Sequence, residues 1–176
     1  MVKLIKFFAY FTFFIISLIY FTPKISTYYF LESYIKKHGI IISDEECSDT
    51  GYGLKIKHPT LSIKSIDGAK AKEIDINIFA LYNKININDI YLSSMASSFM
   101  PLKVENAKLV YSIVDPLNVN GMAYGEFGEV NAKFDLTKMA LTVKLAPSKL
   151  MLKKYKNTLR KFKKTKKGEY IYEKNI

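Results

Sequence analysis

The segment from Asp44 to Asp49 gathers the side chains of this chain best suited to binding a cation. It holds four carboxylates and one thiol, on Asp44, Glu45, Glu46, Cys47 and Asp49. Carboxylate oxygens bind hard cations, but a calcium loop also needs a regular ligand spacing and a glycine at its sharp turn. Neither is present here, so we interpret the segment as a solvated loop and expect no metal site and no cofactor.

Acid–base and nucleophilic catalysis have few candidate residues. Of the two histidines, His38 falls at a predicted helix end and His58 precedes Pro59 in a predicted turn. Cys47 is the single cysteine, which excludes an intramolecular disulfide. The motifs of serine hydrolases, phosphate-binding loops, dinucleotide-binding loops and paired cysteines do not occur. We therefore predict that the protein is not an enzyme.

The basic residues are concentrated near the C-terminus. The net charge is +11, and residues 149–167 contain ten Lys and Arg and no Asp or Glu. The remainder of the chain is therefore close to neutral. Pro147 and Ser148 form a good helix start, and the following apolar residues have helical spacing: Leu152, Tyr155, Leu159 and Phe162. Residues 147–176 are predicted to form a basic amphipathic helix and a short terminal strand.

Two interpretations of this basic segment remain open. The helix packs on the rest of the domain and turns a solvated basic side outward, or that side contacts anionic lipid headgroups. The residues predicted for such a membrane contact are Lys153, Lys154, Lys156, Arg160, Lys161, Lys163 and Lys164. A nucleic-acid partner is not expected, because the chain has no recognition motif.

The N-terminal segment predicts a membrane anchor. Residues 7–22 (FFAYFTFFIISLIYFT) contain no charge, and with their apolar flank they reach the length that crosses a bilayer. A small-residue cleavage site and a polar helix side are both missing. We predict an uncleaved, single-pass signal-anchor over residues 1–23, and Lys3 and Lys6 favour a cytoplasmic N-terminus. The bulk of the chain is then expected in the periplasm, beyond the inner membrane.

The pattern of the remaining chain predicts a β-rich domain. Residues 24–39 are expected to form an amphipathic stalk helix, and residues 40–146 an antiparallel β domain in which apolar and polar residues alternate. Short turn signals, among them Asn120-Gly121, separate about eight strands. The predicted fold class is mainly β with flanking helices, built as a curved sheet or a sandwich.

The alternation leaves one apolar face, whose covering decides its role. The side chains predicted to line it are Ile74, Ile76, Ile78, Ile85, Ile87, Val130, Phe134, Leu141 and Val143. A sandwich or the flanking helices would cover this face, and we expect a covered core. A curved open sheet would instead offer it to a lipid or a partner.

Three segments resemble a known group of proteins. They are HPTLSIKSIDGAKAKEIDI, PLKVENAKLVYSIVDPLNVNG and YGEFGEVNAKFDLTKMALTVKLAPSKL, within residues 58–150. Together with the anchor, they resemble the type II secretion protein N family and the broader AsmA-like bacterial envelope proteins. That resemblance implies a single inner-membrane anchor followed by antiparallel periplasmic strands.

Two functions follow from the resemblance. The first is a non-enzymatic scaffold or assembly component of a secretion or envelope system, with other envelope or secretion proteins as partners. The alternative is a lipid-binding or lipid-transfer module that holds acyl chains along the apolar face. Membrane lipids are expected partners in both.

Overall fold

Two helices open the chain. The structure, a computed structural model, describes residues 2–63, 66–79, 81–165 and 168–175. The first helix is α1 (Val2–Phe21), and the second is α2 (Lys24–Lys36). Within α1 the window Lys3–Phe21 has a mean hydropathy of 2.0, and none of it is buried. This helix is therefore long and apolar enough to cross a membrane. It ends just before Pro23, which lacks the N–H that a continuing helix would need.

Twelve strands follow within the described residues, and every pairing among them is antiparallel. They are β1 (Ile40–Ser43), β2 (Glu46–Asp49), β3 (Gly53–Lys57), β4 (Thr60–Ile63), β5 (Ile66–Phe79), β6 (Tyr82–Leu92), β7 (Lys103–Ser112), β8 (Asn118–Gly125), β9 (Gly128–Asp135), β10 (Ala140–Pro147), β11 (Lys163–Lys164) and β12 (Tyr170–Asn175). The remaining elements are a 3-10 helix (Ser94–Ser98) and two short helices, α3 (Lys149–Lys154) and α4 (Lys156–Leu159).

The strands form one sheet with a simple path. Its order is β1-β4-β5-β6-β7-β8-β9-β10-β12-β11, and β3 pairs with β5 beside β4 and carries β2. From β5 to β10 each strand pairs with the next along the chain, as short connections between antiparallel strands allow. The predicted class, mainly antiparallel β with an N-terminal membrane-length helix, is confirmed. The described residues contain no second sheet, so the curved-sheet form is present and the sandwich is not.

Register places the apolar side chains on one face of this sheet, because directly paired residues point to the same side. One row across the sheet joins Leu54, Ile76, Ile85, Leu109, Gly121, Ala132, Val143 and Tyr172. We call this side the apolar face and the other side the polar face. Charged and amide side chains such as Lys55, Asp75 and Asn86 pair with one another on the polar face.

The apolar pattern shifts by one residue within β6. Ile87 lies in the same register row as Ala123, on the apolar face. Ile90 packs in the same hydrophobic cluster as Ala123 and so belongs to the apolar face too, although it is three residues from Ile87. Asp89, between them, has a left-handed φ of 48°. Residue spacing along a regular strand would put Ile90 on the polar side, so this irregularity returns it to the apolar face.

The hydrophobic core lies at one end of the sheet. Its buried members are Val104, Phe127, Leu145, Met151 and Leu159, and its partly buried members include residues of β6, β8, β9 and β12. Six strands thus converge on Met151 of α3 and Leu159 of α4. A sheet can bring six strands to one helix pair only by curling around it, so the apolar face is the inner side at this end.

The C-terminal helix predicted from Pro147 onward is shorter than expected. The chain leaves helical geometry at Tyr155, where φ is −115° and ψ is 36°, and this break divides α3 from α4. Ser148 does cap α3, since its Oγ accepts a hydrogen bond from the Met151 amide at 3.1 Å. Leu152, predicted on the apolar side, is 42% exposed, and Met151 is buried in its place. The break lets Tyr155 and Leu159 both reach the core.

Two other sequence predictions were wrong in detail. The strand count of about eight was too low, because β1, β2 and β11 are too short to show alternation. β12 is the short terminal strand that the sequence predicted, and it pairs with β10. Asn120-Gly121 is not a turn but lies inside β8. A Cβ at Gly121 would lie 3.1 Å from Cδ2 of Leu109, so the glycine makes room for that leucine across the sheet.

Candidate functional site

All nine side chains predicted to line the apolar face are brought together there. They occupy three adjacent rows of the register that run from β5 to β10. Ile78 and Phe134 belong to one outer row, Ile76 and Val143 to the middle row, and Val130 to the row that ends at buried Leu145. Sequence alternation therefore identified a continuous surface that five strand pairings connect.

This surface is not covered along its middle. None of the nine predicted side chains is buried, and Ile78 is 39% exposed. By contrast, Leu54 and Ile56 on β3 are buried beside α2, and Leu145 is 3% exposed at the helix pair. The expected covered core is therefore present only at the two flanks. No described element lies across the rows between them.

The two ends of the apolar face differ. At the end marked by the β8–β9 turn, α3 and α4 close it, and Thr158 of α4 donates a hydrogen bond to the carbonyl of Phe99 at 2.6 Å. We call this the far end. At the opposite end lie the β2–β3, β5–β6, β7–β8 and β9–β10 connections, and no helix of the described residues caps them. We call this the near end, because α1 lies beside it.

The contact with α1 is made by aromatic and aliphatic side chains. A cleft of about 490 Å³ lies between one side of α1 and the near end, and its lining residues are Phe11, Thr12, Ile15, Ile16, Ile19, Tyr52, Phe79 and Leu81. The Tyr52 ring stacks on that of Phe79 at 5.7 Å and meets the Tyr20 ring edge-on at 5.4 Å. The near end of the sheet thus lies against the helix that is long enough to cross a membrane.

Lys24 fixes the junction between this helix and the sheet. Its side chain is 4% exposed, and its Nζ donates hydrogen bonds to the carbonyls of Ile19, Tyr20 and Thr22 at 2.7, 2.8 and 2.9 Å. The last carbonyls of a helix have no partner within the helix and carry its negative dipole end. The ammonium group satisfies them and also lies 3.9 Å from the Asp49 carboxylate of β2.

One polar group interrupts the apolar face. Asn83 occupies the outer row beside Ile78 and Tyr111, and its Oδ1 is buried without a hydrogen-bond partner among the described residues. A buried acceptor without a partner costs free energy. A hydroxyl or amide of a bound molecule would satisfy this oxygen.

On the polar face, hydrogen bonds and ion pairs join polar side chains of neighbouring strands. Asn106 donates to the side-chain oxygens of Asn86 and Asn88 at 3.0 and 2.7 Å. Lys55 lies 3.2 Å from Glu73 and 3.5 Å from Asp75, and its hydrogen bond lowers the pKa of Glu73. These contacts tie neighbouring strands together and leave the polar face solvated.

The acidic segment runs into β2, beside α2. Within the described residues no group of three or more His, Cys, Asp or Glu side chains is arranged to hold a metal ion. Cys47 packs beside α2, and burial raises the pKa of its thiol, which disfavours the reactive thiolate. Burial also raises the pKa of Tyr28 nearby, and the charge of Glu45 adds to that shift.

The seven basic residues predicted to contact a membrane are all exposed, but they lie at the far end. Tyr155, Leu159 and Phe162, which alternate with them along the chain, pack in or against the core there. Lys161 lies 5.9 Å from the Phe99 ring and Lys164 lies 5.9 Å from the Tyr170 ring. They thus lie at the end of the sheet opposite the one that adjoins α1.

Two features of the site were missed from the sequence. The first is the set of exposed apolar residues in the near-end connections, such as Leu81 and Val114. The sequence pattern that could have indicated this set is the presence of apolar residues in turns, where polar residues are usual. The second is Lys24, whose capping role depends on a side-chain path that residue spacing alone does not indicate.

No family model, curated protein or solved structure matches this chain.

Proposed function

We propose that this protein is a single-pass membrane protein that binds the acyl chains of lipids along the apolar face of its sheet. The observation that supports this most is the apolar face itself, which is closed by α3 and α4 at the far end and carries none of its nine predicted side chains buried along its middle. A water-soluble domain gains nothing from leaving such a face wet, because apolar surface exposed to water is unfavourable. An acyl chain would replace that water.

The dimensions of the face suit this ligand. The open part of β10 runs from its start at Ala140 to the residue before buried Leu145, five residues that at ~3.3 Å per residue extend over ~17 Å. One leaflet of the bilayer accounts for about half of a ~30 Å hydrocarbon layer, so this stretch is close to the length of an acyl chain within one leaflet. Each buried CH₂ contributes roughly 0.8 kcal/mol, which is enough in sum for the sheet to compete with the bilayer.

The membrane topology is part of this proposal. α1 would span the inner membrane with the N-terminus in the cytoplasm, and the sheet would stand on the periplasmic side. Support comes from the length and hydropathy of α1 and from Lys3 and Lys6 at its start. Scaffolding within a secretion or envelope system, the other expectation from the sequence, would place a protein segment rather than a lipid on the same face.

Photo-cross-linking of neighbouring residues tests the proposal. A photoreactive phenylalanine analogue is placed at Phe134, on the apolar face, or at Lys133, on the polar face of the same strand, in the full chain. Each variant is reconstituted in vesicles with a radiolabelled phospholipid and irradiated. We expect lipid adducts at Phe134 and few at Lys133, although the two residues are equally far from the bilayer.

The outcomes separate the two functions. Equal labelling at Phe134 and Lys133 would mean that lipid meets the domain without a preferred face and would overturn the lipid-binding proposal. In whole cells, a protein adduct at Phe134 in place of a lipid adduct would favour the scaffold. Phe134→Tyr, which keeps the ring, serves as the folding control.

A further inference from the structure

We propose that the near end of the sheet dips into the bilayer that holds α1, so that its apolar turns contact lipid hydrocarbon directly. This inference rests on the proposed function in one respect, the spanning of the membrane by α1. It goes further because it assigns a membrane-inserting surface to the β domain as well.

The turns at this end carry exposed apolar side chains. Leu81 is 61% exposed in the β5–β6 turn, and Val114 is 90% exposed in the β7–β8 loop. The other large exposed members are Ile113, Leu117, Leu136 and Met139. Connections at a water-facing end are normally polar. The far end also exposes apolar side chains, among them Met95 at 61% and Phe99 at 57%, so what distinguishes the near-end group is its position beside α1.

Backbone hydrogen bonds hold these turns side by side. The Ile113 amide donates to the Leu81 carbonyl at 2.9 Å, and the Leu136 amide donates to the Leu117 carbonyl at 2.8 Å. The β5–β6, β7–β8 and β9–β10 connections therefore form one continuous edge. A surface fixed in this way inserts without the ordering cost of separate loops.

The position of α1 identifies the bilayer as the occupant. Leu81 and Phe79 share a cleft with α1 residues from Phe11 to Ile19, which lie ten to two residues before Phe21, the end of the helix. At ~1.5 Å per residue that is ~15 Å to ~3 Å from this end, so the cleft runs from the middle of a ~30 Å hydrocarbon layer to its edge. If α1 spans, the near end reaches the hydrocarbon of the adjoining leaflet.

The charged groups of the same edge limit the depth. Asp115 accepts a hydrogen bond from Asn118 at 2.6 Å, Asp135 accepts two from the Thr137 and Lys138 amides at 2.9 Å, and the Lys138 side chain is exposed. Hydrogen-bonded carboxylates and a lysine that extends toward the headgroups suit the interface rather than the bilayer centre. The insertion is therefore shallow.

Fluorescence in vesicles tests the inference. In a Cys47→Ser background of the full chain, an environment-sensitive dye is attached at Val114→Cys, at Ser97→Cys in the exposed 3-10 helix of the far end, and at Phe13→Cys in α1. Spin-labelled lipids quench the dye from within the bilayer, and iodide quenches it from water. We expect Val114→Cys to be quenched most by a label near the headgroups, Phe13→Cys by a deep label, and Ser97→Cys by iodide alone.

The three sites separate the possible failures. A Phe13→Cys dye open to iodide would show that α1 does not span, which overturns the proposed topology. A deep Phe13→Cys dye with a water-exposed Val114→Cys dye would overturn the insertion alone. A Val114→Cys dye that is shielded from iodide yet untouched by spin-labelled lipid would show a second copy of the chain covering the turns, and would also overturn the insertion.

Discussion

Leu145 and Leu141 lie on the same strand and the same face, four residues apart, and differ mainly in what covers them. Leu145 is 3% exposed and packs in the core with Met151 and Leu159, whereas Leu141 is partly exposed in the uncovered outer row. Replacing each leucine by alanine is therefore a matched experiment. The same three carbon atoms are removed from a closed and from an open part of one surface.

The expected magnitudes differ severalfold. At Leu145 the transfer free energy of roughly 0.8 kcal/mol per carbon is lost in full and a cavity is left, so we expect a loss of about 3–5 kcal/mol in the free energy of unfolding. At Leu141 the side chain already meets solvent and no layer above it encloses a cavity. The expected loss there is about 1 kcal/mol.

Urea unfolding of the full chain in detergent micelles measures both values. Circular dichroism follows the sheet, and the shift in transition midpoint at constant slope gives the change in stability. The lipid adduct at Phe134 is read in parallel, and we expect Leu141→Ala to weaken it more than Leu145→Ala does. Equal destabilisation by the two substitutions would mean that Leu141 is enclosed as well, and the uncovered face would have to be abandoned.

Four further substitutions test separate contacts. Lys24→Met leaves the last α1 carbonyls without donors and should lower stability by about 3 kcal/mol, measured by the same unfolding. Gly51→Ala, at φ 82° and with a Cβ that would lie 2.6 Å from the Tyr20 ring, should loosen the junction and lower the stability measured by the same unfolding; unchanged stability would mean that this ring contact is absent in solution. Asn83→Leu removes an unpaired buried acceptor and should leave stability equal or higher; a large loss would show that Asn83 has a partner. Two amide donors hold the pKa of Asp135 below its ordinary value of 3.8. The stabilisation by the Asp135 carboxylate is therefore present above that pH and is lost as the pH falls through the lowered pKa. Asp135→Asn should make stability depend less on pH in this acid range.

Sequence patterns predicted the parts of this fold that depend on local periodicity. The strict alternation over β9 and β10 identified both strands and the face that Phe134 and Val143 share. The uncharged run of residues 7–22 likewise predicted α1, because helix length and hydropathy are sums over neighbouring residues. Ser148 was recognised as a helix start by its side-chain oxygen.

The parts that depend on distant contacts were not predictable in this way. Alternation could not show the one-residue shift at Asp89, since only the convergence of six strands on α3 and α4 reveals that Ile90 belongs to the apolar face. The break at Tyr155 likewise follows from the need of both Tyr155 and Leu159 to reach the core. Whether the apolar face is covered depends on how many layers of sheet or helix pack on it, and no local sequence pattern indicates that number.

The Lys24 contacts also bear on how the chain enters the membrane. Every carbonyl that Lys24 binds lies within five residues of it, so these bonds need only the last turn of α1 and can form before any strand has paired. If α1 enters a membrane as proposed, a positive charge already bound by helix carbonyls weighs less in the charge difference between the two flanks of the helix. Lys3 and Lys6 then weigh more, which favours the proposed cytoplasmic N-terminus.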